Sequence, residues 1–348
     1  MHKILHPKLV ILSYAFAPSV GGIETVSQIL AKSFVQRGYE VTVITNTACG
    51  NVESAEPFHI VRQPSIKTLV SQIYRTDIVL QCHISLRIAW PMWFMFIRKP
   101  FILTLHTQIA SPNRAAMWLG RLKHIFLLRP RCLFVSNYLA ETIKPGACAI
   151  WNPYDNSVFR LLPGVVRSRD LIFVGRLVFA KGVDILLRAF ALVLKYRPST
   201  SLSVVGSGQE ENNLQKLACT LGIEQNTDFL GIRKGNELAS LMNQHKIIVV
   251  PSRSQPPEAL SVVPIEGTAC GCVPVASKQG GLPESVGDGG ILFEEGNIDE
   301  LATVLFRLLK SQKLLDYFCA QGRSHIAKFH PDKIIDAYEA CFNEALYK

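Results

Sequence analysis

Short apolar runs recur along most of this 348-residue chain, and many of the stretches between them carry apolar residues at helical spacing. In the first half the runs predict strands at 9–14, 40–45, 58–62, 77–82, 101–106, 132–136 and 148–151. Helical patterns lie between several of them, most plainly from Ile23 to Arg37, where Gly38 stands as a C′ glycine. Strands separated by helices imply βαβ units, a parallel sheet and right-handed crossovers.

Around 152–170 the pattern breaks into Asn152-Pro153, Asp155-Asn156, Pro163-Gly164 and a charged stretch from Arg167 to Asp170. Turn signals with a change of composition place a linker there. A second series follows, with strands at 171–175, 201–205, 227–231, 246–250, 272–276 and 290–293. Helices are predicted near 182–196, 210–221, 235–243, 261–270, 282–286 and 297–309, and a last one at about 332–346. The expectation is an α/β chain of two doubly wound domains, residues 1–160 and 161–330, with the terminal helix 331–348 returning to the first. Ligands in such sheets sit outside the carboxyl ends of the strands. If the domains face each other, the chemistry falls in the cleft between them.

Length agrees with two domains, because single hydrophobic cores seldom grow beyond about 250–300 residues. A hydrophobic fraction of 48% with 18% charged residues argues against disorder. The formal charge of +10 favours anionic partners without choosing among phosphates, nucleic acid and an acidic membrane face. Nine scattered cysteines, with only Cys270 and Cys272 close together, fit neither a zinc-finger spacing nor a disulfide framework. Buried thiols in a reducing cytoplasm are the expectation. Near the start, His2, Lys3 and Lys8 precede Leu9–Leu12, and Ala15-Phe16-Ala17 has a small-x-small form. That pattern suits a signal peptide. A buried first strand suits it too, and is favoured because the following residues continue the βα series. The most apolar window, Ile88 to Ile97, contains Pro91 and is far short of the roughly 20 residues that span a bilayer.

Candidate chemistry gathers at predicted strand ends. After 171–174 come Gly175-Arg176-Leu177 and then Lys181-Gly182 at the mouth of a helix. Two cations beside free helix N–H groups suit a diphosphate, and a solvated basic loop is the plain alternative. Gly206-Ser207-Gly208 begins like a dinucleotide fingerprint but has Glu211 where the last glycine belongs, so a structural turn competes with a ligand loop. Glu258 and Glu266 stand eight positions apart, the first in a loop and the second inside a helix. Ser261 is expected to cap that helix, with Pro264 in its first turn. One acid could then meet a sugar and the other a ribose, although two acids at this spacing are commonly surface residues. In the first half, Gly21 and Gly22 open a helix where main chain can approach an anion. His106 ends a strand and faces the same side; a lone histidine is more often structural.

Taken in order, these residues resemble glycosyltransferase family 4, the large retaining family of GT-B fold. The likeness rests on Gly21-Gly22-x-Glu24, on His106 in Leu103-Thr-Leu-His-Thr, and on Ser136 in Val-Ser-x-x-Leu. It continues through the run from Asn152 to Phe159, Arg176 with Lys181, and Glu258-x7-Glu266. The resemblance implies two Rossmann-like domains facing a cleft and a nucleoside-diphosphate sugar, UDP- or GDP-linked, as donor. Arg176 and Lys181 would bind the diphosphate, Glu266 the ribose and Glu258 the donor sugar. The Gly21-Gly22 loop would lie against the phosphates, and His106 would contact the transferred sugar. Gly206, Leu260 and Ser261 join the donor-binding set. Neither a metal nor a cofactor is implied. One departure is that Leu260-Ser261 stand where members usually carry Phe-Gly, which bears on recognition of the donor sugar.

The acceptor is not written in these motifs. From Asn113 to Arg131, Trp118, Leu119, Leu122, Ile125 and Phe126 interleave with Arg114, Arg121, Lys123 and Arg129. Such a basic amphipathic segment can lie on an anionic membrane, or pack as an ordinary helix on the sheet. The expectation is a cytoplasmic enzyme, peripheral on the inner face of the membrane, acting on a lipid-linked glycan in assembly of a surface polysaccharide such as lipopolysaccharide. A sugar-nucleotide epimerase or another nucleotide binder of the same architecture is the alternative. A dehydrogenase is disfavoured by the missing glycine, and no nucleic-acid motif is present.

Overall fold

The computed structural model describes residues 6–19, 21–49, 56–95, 97–107 and 130–347. Most of the basic amphipathic segment, residues 113–129, lies outside them. The chain divides into two compact units, Met1–Pro153 with Pro331–Lys348, and Tyr154–His330.

The first unit holds a parallel sheet of β1 Lys8–Ser13, β2 Glu40–Thr45, β3 His59–Arg62, β4 Ile78–Cys82, β5 Phe101–Leu105 and β6 Arg131–Phe134. Their order is β3-β2-β1-β4-β5-β6. Leu9 is in register with Val41 on one side and Ile78 on the other, so β1 is central. Because side chains alternate across a strand, Leu9 and Ile11 join one core while Val10 and Leu12 join another. A sheet buried on both faces therefore reads as an unbroken apolar run, here Leu9–Leu12. The Leu9 face packs on α1 Gly22–Gln36, and the Val10 face on α2 Ile66–Arg75 and α3 Leu86–Phe94. Helix α1 ends as expected, with Gly38 at φ +87°. A further helix, α4 Asn137–Ile143, is capped by Ser136, whose hydroxyl accepts the Leu139 N–H at 3.1 Å. The predicted strand at 148–151 is only an isolated bridge between Phe134 and Ala149.

The second unit contains β7 Arg169–Val174, β8 Leu202–Val205, β9 Thr227–Gly231, β10 His245–Val250, β11 Val273–Ser277 and β12 Ile291–Phe293. Their order, β12-β11-β10-β7-β8-β9, repeats that of the first sheet, and all pairs are parallel. Both sheets have the order of doubly wound nucleotide-binding domains. In the second, the order reverses between β7 and β10, so the loops after those two strands flank the switch point. Helices α5 Val183–Leu194, α6 Glu211–Thr220, α7 Gly235–Gln244, α8 Val263–Ala269, α9 Leu282–Val286 and α10 Ile298–Lys310 follow the strands. On one face Leu171, Phe173, Ile247 and Val249 meet Leu186, Phe190 and Leu305. On the other, Gly267 of α8 lies so close to Ile248 that a Cβ would come within 2.7 Å of it.

Two further local expectations need correcting. The pattern yields no helix between 310 and 331, where α11 Gln312–Ile326 forms. Only Leu315, Gly322 and His325 of that helix are buried, so its apolar signal is weak. It is instead started by Ser311, whose hydroxyl accepts the Leu314 N–H at 3.2 Å, and seated by contact of Gly322 with Gly289. Ser261 does not cap α8: the cap position is Val262, with no side-chain hydrogen bond, and Ser261 is buried before it. Pro264 stands in the first turn as expected. The final helix, α12 Pro331–Tyr347, belongs to the first unit, where Phe342 stacks on Phe34 at 5.3 Å and Arg37 pairs with Asp336 at 2.9 Å. Among the described residues no helix is long and apolar enough to cross a membrane.

Candidate active site

The second unit assembles a polar constellation from the loops that follow β7 and β10. After β7 the chain runs through Gly175-Arg176-Leu177 into a short 3₁₀ turn, Phe179–Lys181, and then Gly182. Gly182 has φ +65°, and a Cβ there would fall 2.0 Å from the Pro251 carbonyl oxygen. Only glycine meets both conditions, so the turn sits directly against the loop after β10. That loop answers with the Arg253 N–H, which donates to the Ala180 carbonyl at 2.8 Å.

Across this contact the Lys181 ammonium forms an ion pair with a Glu258 carboxylate oxygen. The same oxygen accepts the Ser252 hydroxyl at 3.0 Å. Both charged side chains are about four-fifths buried, which strengthens their attraction relative to a surface pair. The backbone of Glu258 is clipped in place. Its N–H donates to the Gln279 side-chain oxygen at 3.2 Å, and its carbonyl accepts the Gly281 N–H at 2.7 Å. Gly280 (φ +54°) makes this approach feasible, since a Cβ would lie 2.3 Å from the Glu258 oxygen.

Arg176 is exposed, and among the described residues its guanidinium makes no hydrogen bond or ion pair. Glu266 is buried in the first turn of α8, and its carboxyl likewise has no hydrogen-bond partner among the described residues. Burial, with the nearby charge of Asp155, pushes this carboxyl up to about 8. A cation, a cation–carboxylate pair and a buried carboxyl thus lie on the two connections that follow β7 and β10. Such a set can hold a group that offers both anionic oxygens and hydroxyls.

The remaining candidates fall in different places. Gly206 (φ +138°) packs on the Arg176 loop, where a Cβ would lie 1.8 Å from the Gly175 carbonyl, and its own N–H already donates to Gly231 at 2.8 Å. It therefore braces that loop. Leu260 and Ser261 are buried, and the Leu260 backbone lies against Gly281. In the first unit, Gly21 occupies the cap position of α1, and the Glu24 carboxylate folds back so closely that a Cβ on Gly21 would meet it at 2.4 Å. Gly22 faces open space. An internal carboxylate thus occupies the anion-favouring start of α1. His106 is buried, and its Nε2 lies 3.1 Å from the Thr104 hydroxyl, itself 3.2 Å from the Gln81 carbonyl. Burial and the neighbouring His83 push His106 down to about 3, so it is neutral at physiological pH.

Sequence reasoning missed Ser252 and Gln279, which hold Glu258, and Arg253 with Asp184, which hold the turn that carries Lys181. A signal existed for the first two, because Pro251-Ser252-Arg253 directly follows a predicted strand. Only the strand order reveals that this strand lies beside β7. Among the described residues no three His, Cys, Asp or Glu side chains gather as metal ligands.

Two known families match the chain. The one described as glycosyl transferases group 1 matches residues 165–325, and glycosyltransferase family 4 matches residues 20–147. A D-inositol 3-phosphate glycosyltransferase of Segniliparus rotundus is 30% identical over 214 residues, 59% of this chain and 47% of that protein. A GDP-mannose-dependent monoacylated alpha-(1-6)-phosphatidylinositol monomannoside mannosyltransferase of Corynebacterium glutamicum is 32% identical over 180 residues, 50% of this chain and 47% of that protein. The match thus spans about half the length of each of these relatives. Among solved structures, Anabaena Alr3699/HepE in complex with UDP and glucose superimposes with a TM-score of 0.77, covering 97% of this chain and 100% of the other at 21% identity.

Proposed function

This chain belongs to the glycosyl transferases of group 1 and family 4, and from that premise we propose that it is a retaining enzyme transferring a sugar from a nucleoside-diphosphate sugar to a lipid-linked glycan. The observation that carries the donor half is the Lys181–Glu258 ion pair joining the loops after β7 and β10 at the switch point of the second sheet, with Arg176 and Glu266 on the same two connections. Arg176 and Lys181 take the diphosphate, Glu258 the sugar, and Glu266 the ribose hydroxyls. In the first unit His106 and the Gly21-Gly22 turn are the proposed donor-side contacts. A UDP complex of a fold neighbour and a GDP-mannose-dependent relative support this class of donor and leave the base to experiment.

In the proposed reaction the bond between the sugar's anomeric carbon and the diphosphate oxygen breaks, and the bonding pair leaves with the diphosphate. Arg176 and Lys181 offset the charge that develops there, which is where fixed cations lower a barrier most. The acceptor hydroxyl attacks from the face the diphosphate is leaving. Its proton passes to a departing phosphate oxygen, so configuration is retained without a protein nucleophile. His106, neutral at physiological pH, would meet the sugar as an uncharged hydrogen-bonding group.

The acceptor half rests on the phosphatidylinositol mannoside named for the corynebacterial relative and on the net charge of +10. Assembly of a surface polysaccharide on the cytoplasmic face of a membrane is the setting that unites them. The test has two arms. Thermal shift with UDP, GDP and NAD is expected to show stabilisation by one nucleoside diphosphate and none by NAD; stabilisation by NAD alone would overturn the donor assignment. Sedimentation with vesicles containing anionic lipid at low salt tests the acceptor setting, and protein left wholly in the supernatant would count against it.

A further inference from the structure

We propose that Arg253 is a positioning residue for donor binding: it fixes the turn that carries Lys181 and ties it to the loop that carries Glu258. The inference rests on the assignment of Lys181 to the donor diphosphate. Arg253 grips the Phe179–Lys181 turn and the start of α5 by four hydrogen bonds and one ring contact. Its backbone N–H donates to Ala180 at 2.8 Å, and its Nη1 donates to the Phe179 carbonyl at 2.6 Å. Its two terminal nitrogens bind both oxygens of Asp184, at 2.9 and 2.7 Å, in the first turn of α5. Its guanidinium carbon also lies 4.0 Å from the centroid of the Phe179 ring.

These contacts hold the turn at both of its ends, since Phe179 precedes Lys181 and Asp184 follows it. Gly182, seated against Pro251, fixes the point between. On the other side Arg253 follows Ser252, whose hydroxyl binds Glu258 and whose carbonyl accepts the Ser277 hydroxyl at 2.5 Å. One residue therefore joins the two loops that flank the switch point. Both terminal nitrogens are committed to the protein, so Arg253 acts through Lys181. A planar fork suits this task in a way an ammonium does not, because it bonds two carboxylate oxygens and a carbonyl while stacking on a ring. Displacement of a charged group by about an ångström can cost on the order of 100-fold in rate.

The experiment measures UDP and GDP affinity of the full chain by calorimetry, together with donor KM and kcat and the unfolding temperature. The variants are Arg253→Gln, Arg253→Lys, Asp184→Asn, Lys181→Met and the double variant Arg253→Gln/Lys181→Met. Arg253→Gln is expected to weaken nucleoside-diphosphate binding about tenfold, with KM raised and kcat lowered. Arg253→Lys should not restore it, and Asp184→Asn should shift it the same way. The deciding measurement is the pair of Lys181→Met backgrounds: adding Arg253→Gln should cost no further affinity. Additive losses, or an Arg253→Gln protein that binds as tightly as the parent, would overturn the inference. If Arg253→Gln does not fold, Asp184→Asn and Phe179→Leu each remove one arm of the grip, and normal affinity in both would overturn it equally. Should Lys181→Met itself bind as the parent does, the assignment of Lys181 falls, and the role given to Arg253 falls with it. A weakened Lys181→Met beside an unaffected Arg253→Gln rejects the role of Arg253 alone.

Discussion

Glu266 carries its carboxyl into the first turn of α8 with 8% of its surface exposed, and burial raises its proton affinity so that it titrates at about 8. In an unfolded chain the same group titrates near 4.5. The folded state thus holds the proton more tightly, and its advantage is complete below the unfolded value and lost as pH rises through the folded one. Each tenfold gain in proton affinity is worth about 1.4 kcal/mol, so a few kcal/mol should disappear between pH 4.5 and 8. Glu266→Gln is expected to flatten this part of the stability curve and to be the more stable protein at about pH 8.5. Urea midpoints across the same range check it, and parallel curves for the two proteins would contradict it. A second prediction concerns the carboxylate already seated on Lys181. Incoming phosphate must compete with Glu258 for that ammonium and also meets its negative charge. Glu258→Gln should therefore bind UDP or GDP about tenfold more tightly, ~1.4 kcal/mol, while transferring sugar more slowly. Unchanged or weaker binding by calorimetry would mean that Lys181 keeps its carboxylate while holding phosphate.

At the scale of elements, two glycines give a controlled comparison. Gly182 and Gly222 have nearly the same backbone angle, φ +65° and +67°, but a Cβ on Gly182 strikes the Pro251 carbonyl while one on Gly222 meets nothing within 4 Å. Alanine in this left-handed region costs roughly 1–2 kcal/mol at either place. Gly222→Ala should lower the unfolding temperature and leave nucleotide binding intact. Gly182→Ala should do both kinds of damage, because the turn bearing Lys181 must move off the β10 loop. Equal nucleotide affinities in the two variants would refute this. The contrast also shows where the sequence was legible. Strands buried on both faces announce themselves as apolar runs, so the paired strands of the two sheets were each predicted to within about two residues. The run at 148–151 looked the same but found no ladder, and α11 was invisible because a mostly polar helix seated by Gly322 leaves little periodicity. The cap of α8 was misplaced since Ser261 has the right chemistry but is buried one residue too early. Arg176, Lys181, Glu258 and Glu266 were legible as motif residues. Arg253, Asp184 and Gln279 were not, because a long-range clamp depends on strand order, and strand order is not periodic.

Each unit has core of its own, and the Leu9 face of the first sheet is closed by α12. Phe342 of α12 is fully buried, stacked on Phe34 of α1, and Tyr338 of the same helix is buried beside it. Removing a buried phenyl ring typically costs about 3–5 kcal/mol through lost burial and the cavity left behind. At about 2–4 °C per kcal/mol for a unit of this size, Phe342→Ala should lower the melting of the first unit by on the order of 10 °C. The second unit has its own sheet, its own core and the proposed nucleotide-binding residues, so its melting should stay in place and should rise when UDP or GDP is added. Calorimetry with and without nucleotide separates the two components. Two transitions, one sensitive to Phe342 and the other to nucleotide, are the expected result. A single transition that both perturbations move together would show that the chain unfolds as one cooperative body. In that case the terminal helix would stabilise the nucleotide site as well as its own unit, and a truncation at residue 330 would abolish donor binding instead of sparing it.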